Sequence, residues 1–241
     1  MDSCFHRNDK KVKIKQVENS IKMSKTHIYF VPGLAANSKI FERISLDKNL
    51  FECHFLEWKM PLSKNESIQN YAERMCEDIK HKNPVLIGVS FGGIMAQEMS
   101  KIISTKKVII ISSVKSNQEF PKRFKIASAT KAYKLFPSKI ISNIESYEKY
   151  FLGDFLKKRA ELYKTYMSVR NADYLHWAIA CVLNWQQNQS AENIVHIHGA
   201  KDGVFPIKNI DNCIEIENGT HAMILTKANK ISSEIQQAII C

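Results

Sequence analysis

The 241-residue chain lacks long apolar runs, paired cysteines and abundant glycine. Its longest apolar stretches, such as residues 108–111, are far too short to span a bilayer as a helix. The first 25 residues are polar and lysine-rich, with no apolar stretch of the secretory-signal type. Six cysteines (Cys4, Cys53, Cys76, Cys181, Cys213, Cys241) are scattered, with no C-x-x-C pair and no zinc-site spacing. That argues against a disulfide scaffold and a zinc ribbon, and for reduced thiols in the cytoplasm. Eight glycines and six prolines exclude collagen-like and low-complexity chains. At 44% hydrophobic and 24% charged, the chain is long enough to bury the core of one large domain.

Acidic residues are also in deficit, 24 against 35 Lys and Arg, for a net charge of +11. The excess is local. Residues 1–25 carry +4 and residues 116–190 carry +6, which leaves +1 for everything else. No helix-turn-helix or other nucleic-acid motif accompanies the charge, so it reads as a solvated lysine-rich surface and no nucleic-acid partner is expected. Membrane association is not expected either, although a basic aromatic segment leaves salt-dependent surface attachment open.

Residues 1–25 read as a flexible basic tail ending just before the first strand, and Met23 is a candidate start. Beyond it, strands and helices alternate. Strand patterns occupy 26–31 (THIYFV), 51–58 (FECHFLEW), 85–89, 108–111, 194–198 and 213–216. Helical spacing occupies 67–79, a stretch from Gly92 onward, and 224–240. Continuous apolar strands separated by helices predict a parallel sheet covered on both faces, an α/β fold. Residues 116–190 break the rhythm. They hold 13 of the 23 aromatics and no strand-like run, and they are expected to form a helical cap inserted before the strand at 194. The expected organisation is a core of 26–115 and 191–241 around a cap of 116–190.

The glycines that are present gather at strand ends. Gly88, Gly92 and Gly93 surround Ser90 in GVSFGG, between the strand PVLI and a helix. A G-x-S-x-G at a strand-to-helix turn holds a serine on a tight, exposed elbow, where flanking side chains would collide. The following helix N-terminus offers N–H groups and a positive dipole end to a developing oxyanion. A serine nucleophile needs a base, and the base needs an orienting carboxylate. Asp202, in HGAKDG, follows the strand IVHIH. His221, in NGTH, follows the strand CIEI. Both loops are expected to open at the same sheet edge as Ser90. The strand at 108–111 is followed by Ser112, Ser113 and Val114, with no carboxylate before Glu119, which favours Asp202 as the acid. The remaining histidines read as tail, strand or loop residues. His196 and His198 share one strand face, but no third ligand cluster follows, so no metal is expected. The backbone N–H groups of Phe91 and Leu34 (in PGLA) are the expected oxyanion donors.

With these stretches in place, the chain resembles the α/β-hydrolase-fold serine hydrolases. The matching segments are VPGLAANSKIF, PVLIGVSFGGIMAQE, HIHGAKDGVFP and NGTHAMI. The cap matches in position only. The resemblance implies a three-layer α/β sandwich with a mostly parallel sheet. Its first two strands are missing, leaving a reduced form of about six. Pro32-Gly33 stands where many members carry His-Gly. The implied chemistry is hydrolysis of a small-molecule carboxylic ester or thioester through an acyl-enzyme, with Ser90, His221 and Asp202 as the triad and no cofactor. Acyl transfer, carbon–carbon bond cleavage and a non-catalytic binding module remain open on the same fold. A monomer or homodimer is expected.

Overall fold

A computed structural model describes residues 25–131, 165–188 and 193–240. All but the last residue of the tail read at 1–25 and much of the cap, including seven of its 13 aromatics, lie outside the described residues. Six strands form one sheet: β1 Thr26–Val31, β2 Phe51–Phe55, β3 Val85–Val89, β4 Lys107–Ile111, β5 Ile194–Gly199 and β6 Ile214–Ile216. Their order is β2-β1-β3-β4-β5-β6. All five pairings are parallel, so the sheet is wholly rather than mostly so. The chain runs outward from β1 to β2, then returns past β1 to β3 and continues the other way. The direction of winding therefore reverses between β1 and β3. In such sheets the crevice at the carboxyl ends of those two strands is where a ligand site forms.

The period-2 alternation of strands assigns side chains to two layers. Tyr29, Val31, Leu86, Val108 and Ile110 face one layer, built from α1 (Ile68–Cys76) and α2 (Phe91–Ser100). Ile28, Phe30, Ile87, Ile109 and Ile111 face the other, built from α5 (Met223–Thr226), α6 (Ala228–Ile240) and the 3-10 turn at Ser38–Phe41. Ser67 caps α1, its hydroxyl accepting from Asn70 N–H at 3.1 Å. Residues 91–99 of α2 are all buried, Gln97 and Glu98 included, so this helix is enclosed on every side and fills the centre of its layer.

Between β4 and β5 the described residues hold no strand. They form α3 (Lys122–Thr130), α4 (Ala172–Asn184) and a 3-10 turn at Asn117–Glu119. Asn171 caps α4, accepting from Asp173 and Tyr174 N–H. Phe120, Phe124, Tyr174, Trp177 and Trp185 belong to the same buried cluster as Tyr71, Phe91 and Met95, so these aromatics are packing residues.

Several element boundaries differ from the pattern expected, and two of them have a visible cause. β2 stops at Phe55 rather than Trp58, because the Trp58 indole turns to bond the loop after β1. The closing helix is two helices. Lys227, at φ −123° and ψ 23°, leaves helical geometry between α5 and α6, and apolar spacing alone does not register a single non-helical residue.

Candidate active site

Ser90 sits between β3 and α2 with φ 54° and ψ −119°, a backbone conformation that costs a non-glycine residue energy. Three hydrogen bonds of 2.9 Å or less hold it there. Ser90 N–H donates to Ile111 O at 2.9 Å, and Ser90 O accepts from Gly93 N–H at 2.9 Å and from the Ser113 hydroxyl at 2.7 Å. The glycines supply room. A Cβ on Gly88 would run into the Gly92 backbone, one on Gly92 into the carbonyls of Val31 and Pro32, and one on Gly93 into Ser113. The end of β1 thus lies directly against the start of α2, which brings the Gly33 backbone beside the Ser90 side chain. A Cβ on Gly33 would lie 3.7 Å from Ser90 Cβ.

The loops after β5 and β6 approach in the same way. A Cβ on Gly199 would collide with Gly219, and their contact brings Asp202 and His221 together. Asp202 is buried, at 5% exposure. Its Oδ1 accepts from the N–H groups of Val204 (2.8 Å) and Phe205 (2.9 Å). His221 Nδ1 lies 2.9 Å from Asp202 Oδ2, and His221 Nε2 lies 2.9 Å from Ser90 Oγ. A carboxylate only accepts, so Nδ1 carries the proton and donates to it. In the neutral ring Nε2 is then the acceptor, and the Ser90 hydroxyl donates to it. The three side chains form one polarised chain that can move the serine proton onto the imidazole.

Electrostatics support an ionised Asp202. Burial alone would push its carboxyl up. The His221 charge and hydrogen bond, with smaller help from His198 and the Phe205 N–H, outweigh burial and hold it below the usual carboxylate range. Behind it lies a second pair. His198 Nε2 is 2.8 Å from Phe205 O, so it donates, leaving its Nδ1 to accept from His196 Nε2 at 3.0 Å. Burial lowers both imidazoles from their ordinary value, His196 far below it. These rings pack beneath the Asp202 loop as neutral, hydrogen-bonded groups.

Thiols offer no competing nucleophile among the described residues. Burial pushes Cys181 up to about 12 and Cys76 up to about 11, and it raises Cys53 and Cys213 as well. A protonated thiol is a poor nucleophile.

Leu34 and Phe91, the expected oxyanion donors, lie in the loop after β1 and at the first residue of α2. Neither N–H has a hydrogen-bond partner among the described residues. One residue that the motifs did not single out links both positions. Trp58 Nε1–H donates to Gly33 O at 2.9 Å, and the indole stacks on Phe91 with ring centroids 5.0 Å apart. In a planar trans peptide the carbonyl and the following N–H point opposite ways. Anchoring Gly33 O on Trp58 therefore turns the Leu34 N–H away from Trp58. The only hint in the sequence is an aromatic just past a strand.

No protein-family model and no curated protein matches the chain. Solved structures do match its fold. An esterase from Exiguobacterium antarcticum superposes with a TM-score of 0.67 at 14% identity, over 90% of this chain and 93% of that one. An enol-lactonase from Burkholderia xenovorans gives 0.66 at 10% identity, over 90% and 92%. A bromoperoxidase from Bacillus anthracis gives 0.61 at 14% identity, over 90% and 93%. The fold is that of the α/β-hydrolases. Within this α/β-hydrolase fold, Ser90, Asp202 and His221 all stand on loops at the carboxyl ends of the strands, Ser90 at the reversal point.

Proposed function

We propose that the protein is a serine hydrolase that cleaves a small carboxylic ester or thioester through an acyl-enzyme. The observation that carries this reading is the unbroken chain from Asp202 through His221 to Ser90, with both hydrogen bonds at 2.9 Å. Ser90 Oγ attacks the acyl carbonyl as His221 Nε2 takes its proton. The N–H groups of Leu34 and Phe91 hold the oxyanion. His221 then gives the proton to the departing alcohol or thiol, and the acyl group stays on Ser90. Water, deprotonated by the same imidazole, releases the acid and restores Ser90. Asp202 keeps the imidazole in the required tautomer and stabilises its cation.

Residues 116–190 act in this reading as a cap over a core of 26–115 and 191–241, with 1–25 as a separate tail. Described parts of the cap touch two site loops. Arg123 Nη2 donates to Gly203 O (2.7 Å) and Val204 O (2.8 Å), beside Asp202. Val169 N–H donates to Ala35 O at 3.0 Å, and Asn37 N–H to Tyr166 O at 2.9 Å, beside the oxyanion loop. These contacts support a cap that borders the acyl group and sets its length. The free thiols of the described residues fit work in a reducing compartment such as the cytoplasm.

A panel of acyl esters and acyl thioesters of graded chain length tests the reading. Turnover of at least one series is expected, with pre-steady-state release of one leaving group per chain. A folded protein that turns over neither series, or whose turnover survives Ser90→Ala, would remove it.

A further inference from the structure

The β2 edge of the sheet, beside the amino half of β1, gathers three imidazoles that the proposed hydrolytic site does not use. His27 lies on β1, His54 on β2, and His81 in the loop between α1 and β3. Strand register explains the meeting. His27 pairs with Glu52 and Tyr29 with His54, so these four side chains share one face of the sheet. His27 Nδ1 lies 3.1 Å from His54 Nε2. One ring nitrogen from each of the three histidines lies within 4.8 Å of the others. Glu52 Oε2 is 3.8 Å from His27 Nδ1, and Glu52 Oε1 is 3.8 Å from His54 Nε2. His81 stacks on His27 with centroids 3.5 Å apart and planes 8° apart. Tyr29, buried at 2% exposure, places its hydroxyl oxygen 2.7 Å from His81 Nδ1 and accepts the Lys80 N–H at 3.0 Å.

We propose that His27, His54 and His81, with Glu52 supplying a carboxylate oxygen, bind a zinc-like divalent transition-metal ion. Zinc bonds of about 2.0–2.1 Å in a tetrahedron set neighbouring ligand atoms about 3.3–3.4 Å apart, and the separations of 3.1 and 3.8 Å here straddle that spacing. Three imidazole nitrogens and one carboxylate oxygen suit zinc, cobalt, nickel or copper, whereas magnesium and calcium want oxygen alone. The Tyr29 contact engages His81 Nδ1 and leaves Nε2 as the ligand, the usual arrangement in which an outer partner fixes the ring. The His27 and His54 side chains are each 25% exposed, which gives an ion entry from solvent. Ring stacking alone would gather the histidines, but it gives no reason for a carboxylate set between two of them or for a buried tyrosine holding the third. Because the His27 and His81 rings are nearly parallel, His81 tilts out of its stack when the ion binds. The ion clamps β1, β2 and the segment leading into β3, so its role is structural.

Zinc affinity of the full, metal-stripped chain, measured by competition with a chromophoric chelator, tests the site, with thermal unfolding followed in parallel. One zinc ion at this site and a raised Tm are expected, because an ion that binds only the folded state stabilises it. Both are lost in His54→Ala/His81→Ala and kept in His221→Ala, while Tyr29→Phe weakens binding about 10–100-fold. A wild-type chain that takes up no zinc, or a double variant that binds as wild type does, overturns the proposal. Should the double variant fail to fold, the cobalt-loaded wild type decides. A tetrahedral ligand-field spectrum without a thiolate charge-transfer band supports the site, and a thiolate band or an octahedral spectrum overturns it.

Discussion

The carboxyl end of the sheet and its β2 edge are built on different principles. At the carboxyl ends, chain geometry is over-determined. Gly88, Gly92 and Gly93 admit no side chain, Ser90 is held at positive φ by three hydrogen bonds, and Gly199 lies against Gly219. At the β2 edge, His27, His54 and His81 meet through strand register and ring stacking, with Cys53 exposed on the neighbouring position of β2. The first end leaves local sequence signatures because the constraint falls on backbone and spacing. The second leaves none, since its histidines are 27 residues apart and each is ordinary in its own segment. Rigidity suits the proposed reaction, in which a small misplacement is costly. The proposed metal site has only to bring ligands within reach of one another.

Breaking the carboxyl-end chain should have the largest effect. Ser90→Ala should lower kcat by about 10⁴–10⁶-fold with little change in Tm, because in the proposed mechanism the hydroxyl is the nucleophile, and the elbow remains. Asp202→Asn should cost about 10⁴-fold, since an amide favours the wrong imidazole tautomer. Steady-state kinetics on purified variants with matching circular dichroism check both. If Asp202→Asn lost no more than tenfold, the claim that this end depends on a fixed tautomer would fail.

Next comes the elbow itself. Gly93→Ala should lower both Tm and kcat, because its Cβ meets Ser113, whose hydroxyl holds Ser90 O. Gly203→Ala, where a Cβ would meet nothing within 4 Å, should leave Tm nearly unchanged. Equal losses in the two variants would erase the contrast drawn from close approach.

A smaller effect sharpens the picture. Trp58→Phe keeps most of the stacking on Phe91 but removes the bond to Gly33 O. It should lower kcat roughly 10-fold with KM little changed, because one oxyanion donor is only misaimed, while deleting a donor costs about 10²–10³-fold. A change confined to KM would place Trp58 in substrate binding.

The smallest effect concerns pH. In the folded protein His196 and His198 bind a proton less readily than in the unfolded chain, whose histidines titrate near 6.5. As pH falls below that value the unfolded state gains protons first, so stability falls. Asp202, held below its ordinary value, contributes stability above about 4 that is lost as pH falls through its folded pKa. Tm should therefore decline from about pH 6.5 downward, and His196→Gln should flatten the upper part of that decline. An unchanged slope in the variant would put the acid sensitivity elsewhere.

Much of the carboxyl end was legible from the chain alone. β1 and β3 fall on their apolar runs, and β4 and β5 extend one residue beyond theirs, because buried parallel strands leave continuous hydrophobic stretches. The G-x-S-x-G turn carried Ser90, and position after a strand carried Asp202 and His221. Other features depend on long-range contacts. Trp58 bonds Gly33 across 25 residues, and the His196–His198 pair took its meaning from the loop folded over it. The break at Lys227 leaves no mark in apolar spacing.

The central claim is that Ser90 is an activated nucleophile. Reaction of the purified protein with a fluorophosphonate, read by intact mass and then by peptide mapping, tests it directly. The account predicts one adduct per chain, on Ser90, absent in His221→Ala. Folded protein that takes no adduct, or that takes it at another serine such as Ser113, would contradict it.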